Sequence, residues 1–111
     1  MTADQATLAI AQAFDGKPGV TRSAKPGFGQ GGLMTSGKLF AVVRADDLLL
    51  KLPAGRVAAL IASGKAGPFS AGGGRVMREW VLVKPETAHQ WLALAREAQA
   101  FVAELEAKKN G

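Results

Sequence analysis

Two spacings of apolar residues divide the chain. From Pro85 onward apolar side chains recur every three to four positions, at Trp91, Leu94, Ala95, Ala98, Phe101, Val102 and Leu105, with no glycine or proline interrupting. That spacing lines one stripe of a helix, so the pattern predicts a long amphipathic C-terminal helix. Lys108 and Lys109 stand at its end, where cations complement the negative pole of the helix dipole. A shorter helix is predicted over Asp4 to Phe14, where alanine is frequent and Leu8, Ala11 and Phe14 recur near the 3.6 period. Thr2 or Asp4 can cap it, and Asp15-Gly16-Lys17-Pro18-Gly19 stops it because proline cannot donate to a continuing helix.

Between these helices the period falls to two. Leu48, Leu50 and Leu52 alternate with Leu49 and Lys51, which predicts a strand with three leucines on one face and the lysine on the other. Leu33 to Thr35 and Lys38 to Arg44 read as the strands before it, joined through Thr35-Ser36-Gly37-Lys38 and Arg44-Ala45-Asp46-Asp47, whose residue types suit tight turns. Pro53 closes the third strand and opens a helix to about Ser63, with Val57, Leu60 and Ile61 as its apolar stripe. Gly64 to Gly74 reads as a glycine-rich loop anchored by Phe69, and Val76 to Lys84 as the last strand. The order implies one α+β domain spanning residues 1–111. Its expected form is a curved antiparallel sheet of four to five strands, with helices at both termini and one crossing helix, all packed on one face.

Composition fits this reading. The chain has 111 residues, 48% of them hydrophobic and 21% charged, enough for one core and too short for two. There is no cysteine, which excludes disulfides, thiolate metal sites and a cysteine nucleophile. The opening Met-Thr-Ala-Asp-Gln lacks the basic start of a signal peptide, and no apolar run approaches the roughly 20 residues of a membrane span. A cytoplasmic protein without membrane attachment is therefore expected. The net charge is +5, and it is concentrated: from Lys17 to Arg78 ten basic residues stand against two acids, Asp46 and Asp47.

Most chemistry finds no foothold in the residues. Gly27-Phe28-Gly29-Gln30-Gly31-Gly32 matches the spacing of a dinucleotide fingerprint, but a strand follows it where that fingerprint needs a helix. Ala71-Gly72-Gly73-Gly74-Arg75 lacks the Gly-Lys-Ser/Thr ending of a phosphate-binding loop. His89, the lone histidine, falls opposite the apolar stripe of the last helix and has no partners at metal-ligand spacing. The serines have no nucleophile-elbow setting, and the carboxylates are distributed as solvated surface charge. No enzymatic activity and no cofactor are expected. What remains is the basic set Lys38, Arg44, Lys51, Arg75 and Arg78, on or beside predicted strands. If they emerge from one sheet face they form an anion-binding patch for nucleic acid or an acidic protein; the plain alternative is ordinary solvated charge. Trp80 beside Arg78 could stack on a base or serve in the core.

Several segments together resemble the TfoX/Sxy N-terminal-domain family, with a looser likeness to the MmcQ/YjbR group. They are Phe28-Gly29 with Gly32-Leu33, Gly37-Lys38-Leu39-Phe40-Ala41, Leu50-Lys51-Leu52-Pro53, Arg56 with Leu60, Pro68-Phe69, Gly74 to Trp80, and Trp91 to Ala98. Gly27 stands where many members place methionine, and Leu49 where many place tyrosine. The resemblance implies an α+β domain with an antiparallel sheet and a regulatory, DNA-binding role, and it carries no catalytic residues. The leading expectation is thus a small regulatory or adaptor module that binds a macromolecule through the basic face. The rival is a protein-interaction module, including a homodimer, that uses apolar residues such as Leu49 or Trp80. A small-ligand binder with a cleft near Gly72 to Gly74 is the third reading.

Overall fold

The computed structural model describes residues 1–24, 31–44 and 46–110. Helix α1 (Ala3–Phe14) begins on a capping box. The Gln5 backbone N–H donates to the Thr2 hydroxyl (3.1 Å), and the Thr2 N–H donates to the Gln5 side-chain carbonyl (2.8 Å). Two otherwise unpaired donors of the first turn are satisfied in this way. The helix buries Ala6, Ile10 and Phe14, whereas Leu8 is 59% exposed. The expected stripe of Leu8, Ala11 and Phe14 is therefore rotated. Alanine on every side lets the period fix a helix without fixing which row of it faces inward.

Strands β1 (Val20–Arg22), β2 (Leu33–Thr35), β3 (Lys38–Val43) and β4 (Leu48–Lys51) follow, then α2 (Ala54–Ala62), β5 (Ala66–Ala71), β6 (Arg75–Val83) and α3 (Trp91–Asn110). A 3₁₀ segment over Pro85–Gln90 leads into α3. Among the described residues the strands form one antiparallel sheet in the order β1-β2-β3-β4-β6-β5. Ser36 (φ 54°) and Gly37 (φ 78°) both adopt the left-handed conformation that a two-residue hairpin between β2 and β3 requires. The register slips between Leu33 and Met34, which pair with Ala41 and Leu39. That bulge lets the adjacent Phe40 and Ala41 both enter the core.

The sheet has six strands, more than the four to five expected. One addition is β5, an Ala-Gly-Pro-Phe-Ser-Ala segment read above as loop. It is tolerated as a strand because it lies at the sheet edge. The Lys84 N–H donates to the Lys65 carbonyl at 3.3 Å, and Ala66, Gly67 and Pro68 oppose Val83, Leu82 and Val81. Alternate antiparallel pairs exchange hydrogen bonds, so Gly67 bonds inward to β6 while the Pro68 nitrogen points to the open edge, where no N–H is needed.

Leu48, Leu50 and Leu52 are fully buried, sharing one cluster with Phe40, Val81 and Val83 and with Ile10, Phe14, Val57, Leu60, Trp91 and Val102 of the three helices. The Phe14 and Phe40 rings meet at 5.4 Å and 59°. The Trp91 indole N–H donates to the Lys84 carbonyl at 3.1 Å, tying the start of α3 to the end of β6. The opposite face holds a second cluster of Val42, Leu49 and Trp80, with Leu39, Phe69, Met77 and Leu82 packed around it. Among the described residues no helix contributes to that cluster; large side chains of the sheet surround it, and Leu49 is 1% and Trp80 8% exposed. Neither is available as the exposed apolar anchor of the rival reading. Among the described residues no helix is long and apolar enough to cross a membrane.

Candidate anion-binding site

The site is built where β6 outruns its neighbour. Pro53 ends β4 and starts α2, so the last pair between the strands is Lys51 with Trp80, closed by the Leu52 N–H donating to the Glu79 carbonyl at 3.0 Å. Residues 75–78 therefore extend past β4 and pair only with β5, through Ser70 with Val76 and Ala71 with Arg75. The hairpin closes through a 3₁₀ turn over Gly72–Gly74, in which Gly73 (φ 84°) and Gly74 (φ 76°) adopt the left-handed backbone that glycine permits. Between Pro68 and Ser70 the register shifts, so that two steps along β5 match five along β6. Met77 and Trp80, three residues apart, would face opposite sides of a regular strand. The irregularity brings both into the same cluster.

Against this overhang lies a cavity of about 510 Å³ lined by Lys51, Arg75, Val76, Met77, Arg78, Glu79 and Trp80. Three cations thus line one space with one carboxylate. Lys51 leaves the sheet on the face opposite Leu50, and its Nζ stands 6.0 Å from the centroid of the Trp80 ring, at the outer limit of a cation–π contact. Among the described residues none of Lys51, Arg75 and Arg78 forms an ion pair. Elsewhere bases are engaged: Arg22 with Asp15 at 3.2 Å, and Arg56 with Glu97 through two nitrogens at 3.0 and 3.2 Å.

Two members of the predicted set lie apart from this cluster. Lys38 lines a separate cavity of about 570 Å³ with Arg22, Ser23, Ala24, Met34, Gly37 and Leu39. Arg44 sits at the β3–β4 turn, where its backbone N–H donates to the Asp47 carbonyl and its Nε stands 3.5 Å from Asp47 Oδ1. That carboxylate oxygen is buried and receives no hydrogen bond, so the guanidinium charge is what compensates it. Alternation alone placed five bases on or near strands, but it could not say which ends of which strands adjoin.

Trp80 forms a wall of the site. With its ring packed against Val42 and Leu49 and the Lys51 ammonium over it, it offers little open face for a base to stack on. Of the glycine-rich stretch, Gly27 to Gln30 lie outside the described residues. Gly31 and Gly32 continue the β1–β2 ladder, the Gly31 N–H donating to the Ser23 carbonyl and the Ser23 N–H to the Gly32 carbonyl. His89 is exposed, and the described residues contain no group of three or more metal-ligating side chains.

A second, apolar cavity of about 270 Å³ adjoins the cluster, and sequence reasoning missed it. It lies between α2 (Ala54, Val57, Ala58, Ile61) and the β5–β6 hairpin (Pro68, Val76, Met77, Arg78, Trp80). The small Ala54 and Ala58 at helical spacing were its one available sign. No family model matches the chain, and searches of curated proteins and of solved structures find no match either.

Proposed function

We propose that this protein is a small non-catalytic regulatory or adaptor module that binds nucleic acid through Lys51, Arg75 and Arg78. The observation that carries the reading is the convergence of three cations on one cavity, with no ion pair among the described residues to neutralise them. Folding puts like charges together at an electrostatic cost, and an approaching polyanion turns that repulsion into attraction. With Trp80 packed inward, the contact is to phosphates and not to bases, which makes it tolerant of sequence. The likeness of Leu50 to Pro53 and of Gly74 to Trp80 to the TfoX N-terminal domains favours the same role.

Fluorescence anisotropy with labelled duplex and single-stranded oligonucleotides tests it. The Lys51→Glu, Arg78→Glu double variant should lose binding while keeping the native circular dichroism spectrum. A folded double variant that binds as the parent does refutes the proposal. Among the described residues the homodimer reading retains only Met1, Leu8 and Val76 as large exposed apolar side chains, since Leu49 and Trp80 are buried.

A further inference from the structure

Nucleic-acid binding makes no use of the apolar cavity beside the cations. Its walls are carbon from Ala54, Val57, Ala58, Ile61 and Pro68, and the one charged residue lining it is Arg78. Arg78 also lines the cationic cavity, as do Val76, Met77 and Trp80, so the two spaces flank one short stretch of β6. An open apolar groove bordering a row of cations matches a ligand with the same division: a hydrocarbon chain with an anion at one end.

We propose that the two cavities together bind a medium-chain fatty acid, with its carboxylate on Arg78, Arg75 and Lys51 and its chain between α2 and the β5–β6 hairpin. The planar guanidinium fork donates paired hydrogen bonds to a carboxylate, which favours this head group at Arg78. At about 270 Å³ the slot lies just below the roughly 300–1,000 Å³ of drug-sized pockets, which favours a single short chain over a fused-ring lipid. The proposal needs the same cations as the nucleic-acid reading but does not rest on it, since the carboxylate has its own tail to hold it.

Isothermal titration calorimetry of the intact protein with hexanoate, octanoate and decanoate tests the idea. Each added methylene should tighten binding about fourfold until the slot is full, the increment set by burying one CH₂. Ala58→Phe introduces a ring from an exposed helix position and should weaken decanoate at least tenfold. The same variant should bind an oligonucleotide as the parent does. Arg78→Ala should weaken decanoate but leave the uncharged decanol unaffected. Affinity independent of chain length in the parent protein, or decanoate binding unchanged in Ala58→Phe, overturns the proposal and leaves the nucleic-acid reading standing. Loss of oligonucleotide binding in Arg78→Ala with the fatty-acid series intact overturns the shared head-group assignment.

Discussion

Salt titration measures how many cations meet the phosphates. Three converging bases imply three neutralised phosphates, and each contributes about 0.9 to the slope of log K against log salt on duplex DNA, or about 0.7 on a single strand. The expected slopes are therefore about −2.7 and about −2.1. Raising salt from 50 to 200 mM should weaken duplex binding about 40-fold and single-strand binding about 20-fold. Arg78→Ala removes one contact, so its duplex slope should fall to about −1.8 and its loss over the same range to about 12-fold. Lys38→Ala should leave the slope alone, because Lys38 lines a different cavity. Anisotropy at five salt concentrations for the three proteins is sufficient. A slope near −4.5 that drops equally in Lys38→Ala and Arg78→Ala would refute the reasoning, since it would mean that dispersed bases share the contact. So would a slope that Arg78→Ala does not change.

Other expectations concern the scaffold. Leu50→Ala empties a fully buried position facing the helices and should cost about 3 kcal/mol in urea denaturation, without altering salt dependence in any fraction that remains folded. Gly73→Ala forces a side chain onto φ 84° and should cost about 1 kcal/mol by thermal melting, while weakening oligonucleotide binding because it displaces Arg75. Pro68→Thr places an N–H on the open edge of β5 and should produce concentration-dependent self-association in sedimentation velocity; a strict monomer across the range would count against the edge-blocking role of Pro68.

The architecture was legible wherever periodicity decided a side. Leu48, Leu50 and Leu52 face inward together, and Trp91, Leu94, Ala95, Ala98 and Val102 line the buried stripe of α3 as their spacing requires. Pattern failed where composition was silent or misleading. In α1, alanine masked the helical phase and hid Ile10, and in β5 glycine and proline disguised an edge strand. Leu49 looked exposed because a two-period strand usually has a wet face, but here it is buried in a second cluster with Val42 and Trp80. The candidate site was half visible. All three converging cations stood among the five named, but their grouping depends on β4 stopping short and on a register shift inside the β5–β6 hairpin, neither of which a local pattern encodes. The apolar slot arises from how α2 crosses that hairpin, a long-range relation.

The three cations of the cluster are unequally supported by the sheet. Lys51 belongs to a strand bonded on both sides, by β3 and by β6, and opens only when the sheet itself comes apart. Arg75 pairs only with Ala71 of β5, whereas Arg78 adjoins Glu79, whose carbonyl accepts from the Leu52 N–H at the end of β4, so it is Arg75 whose distance from Lys51 depends on the hairpin bonds alone. Local opening of the hairpin can therefore move Arg75 while the central strands that carry Lys51 stay paired.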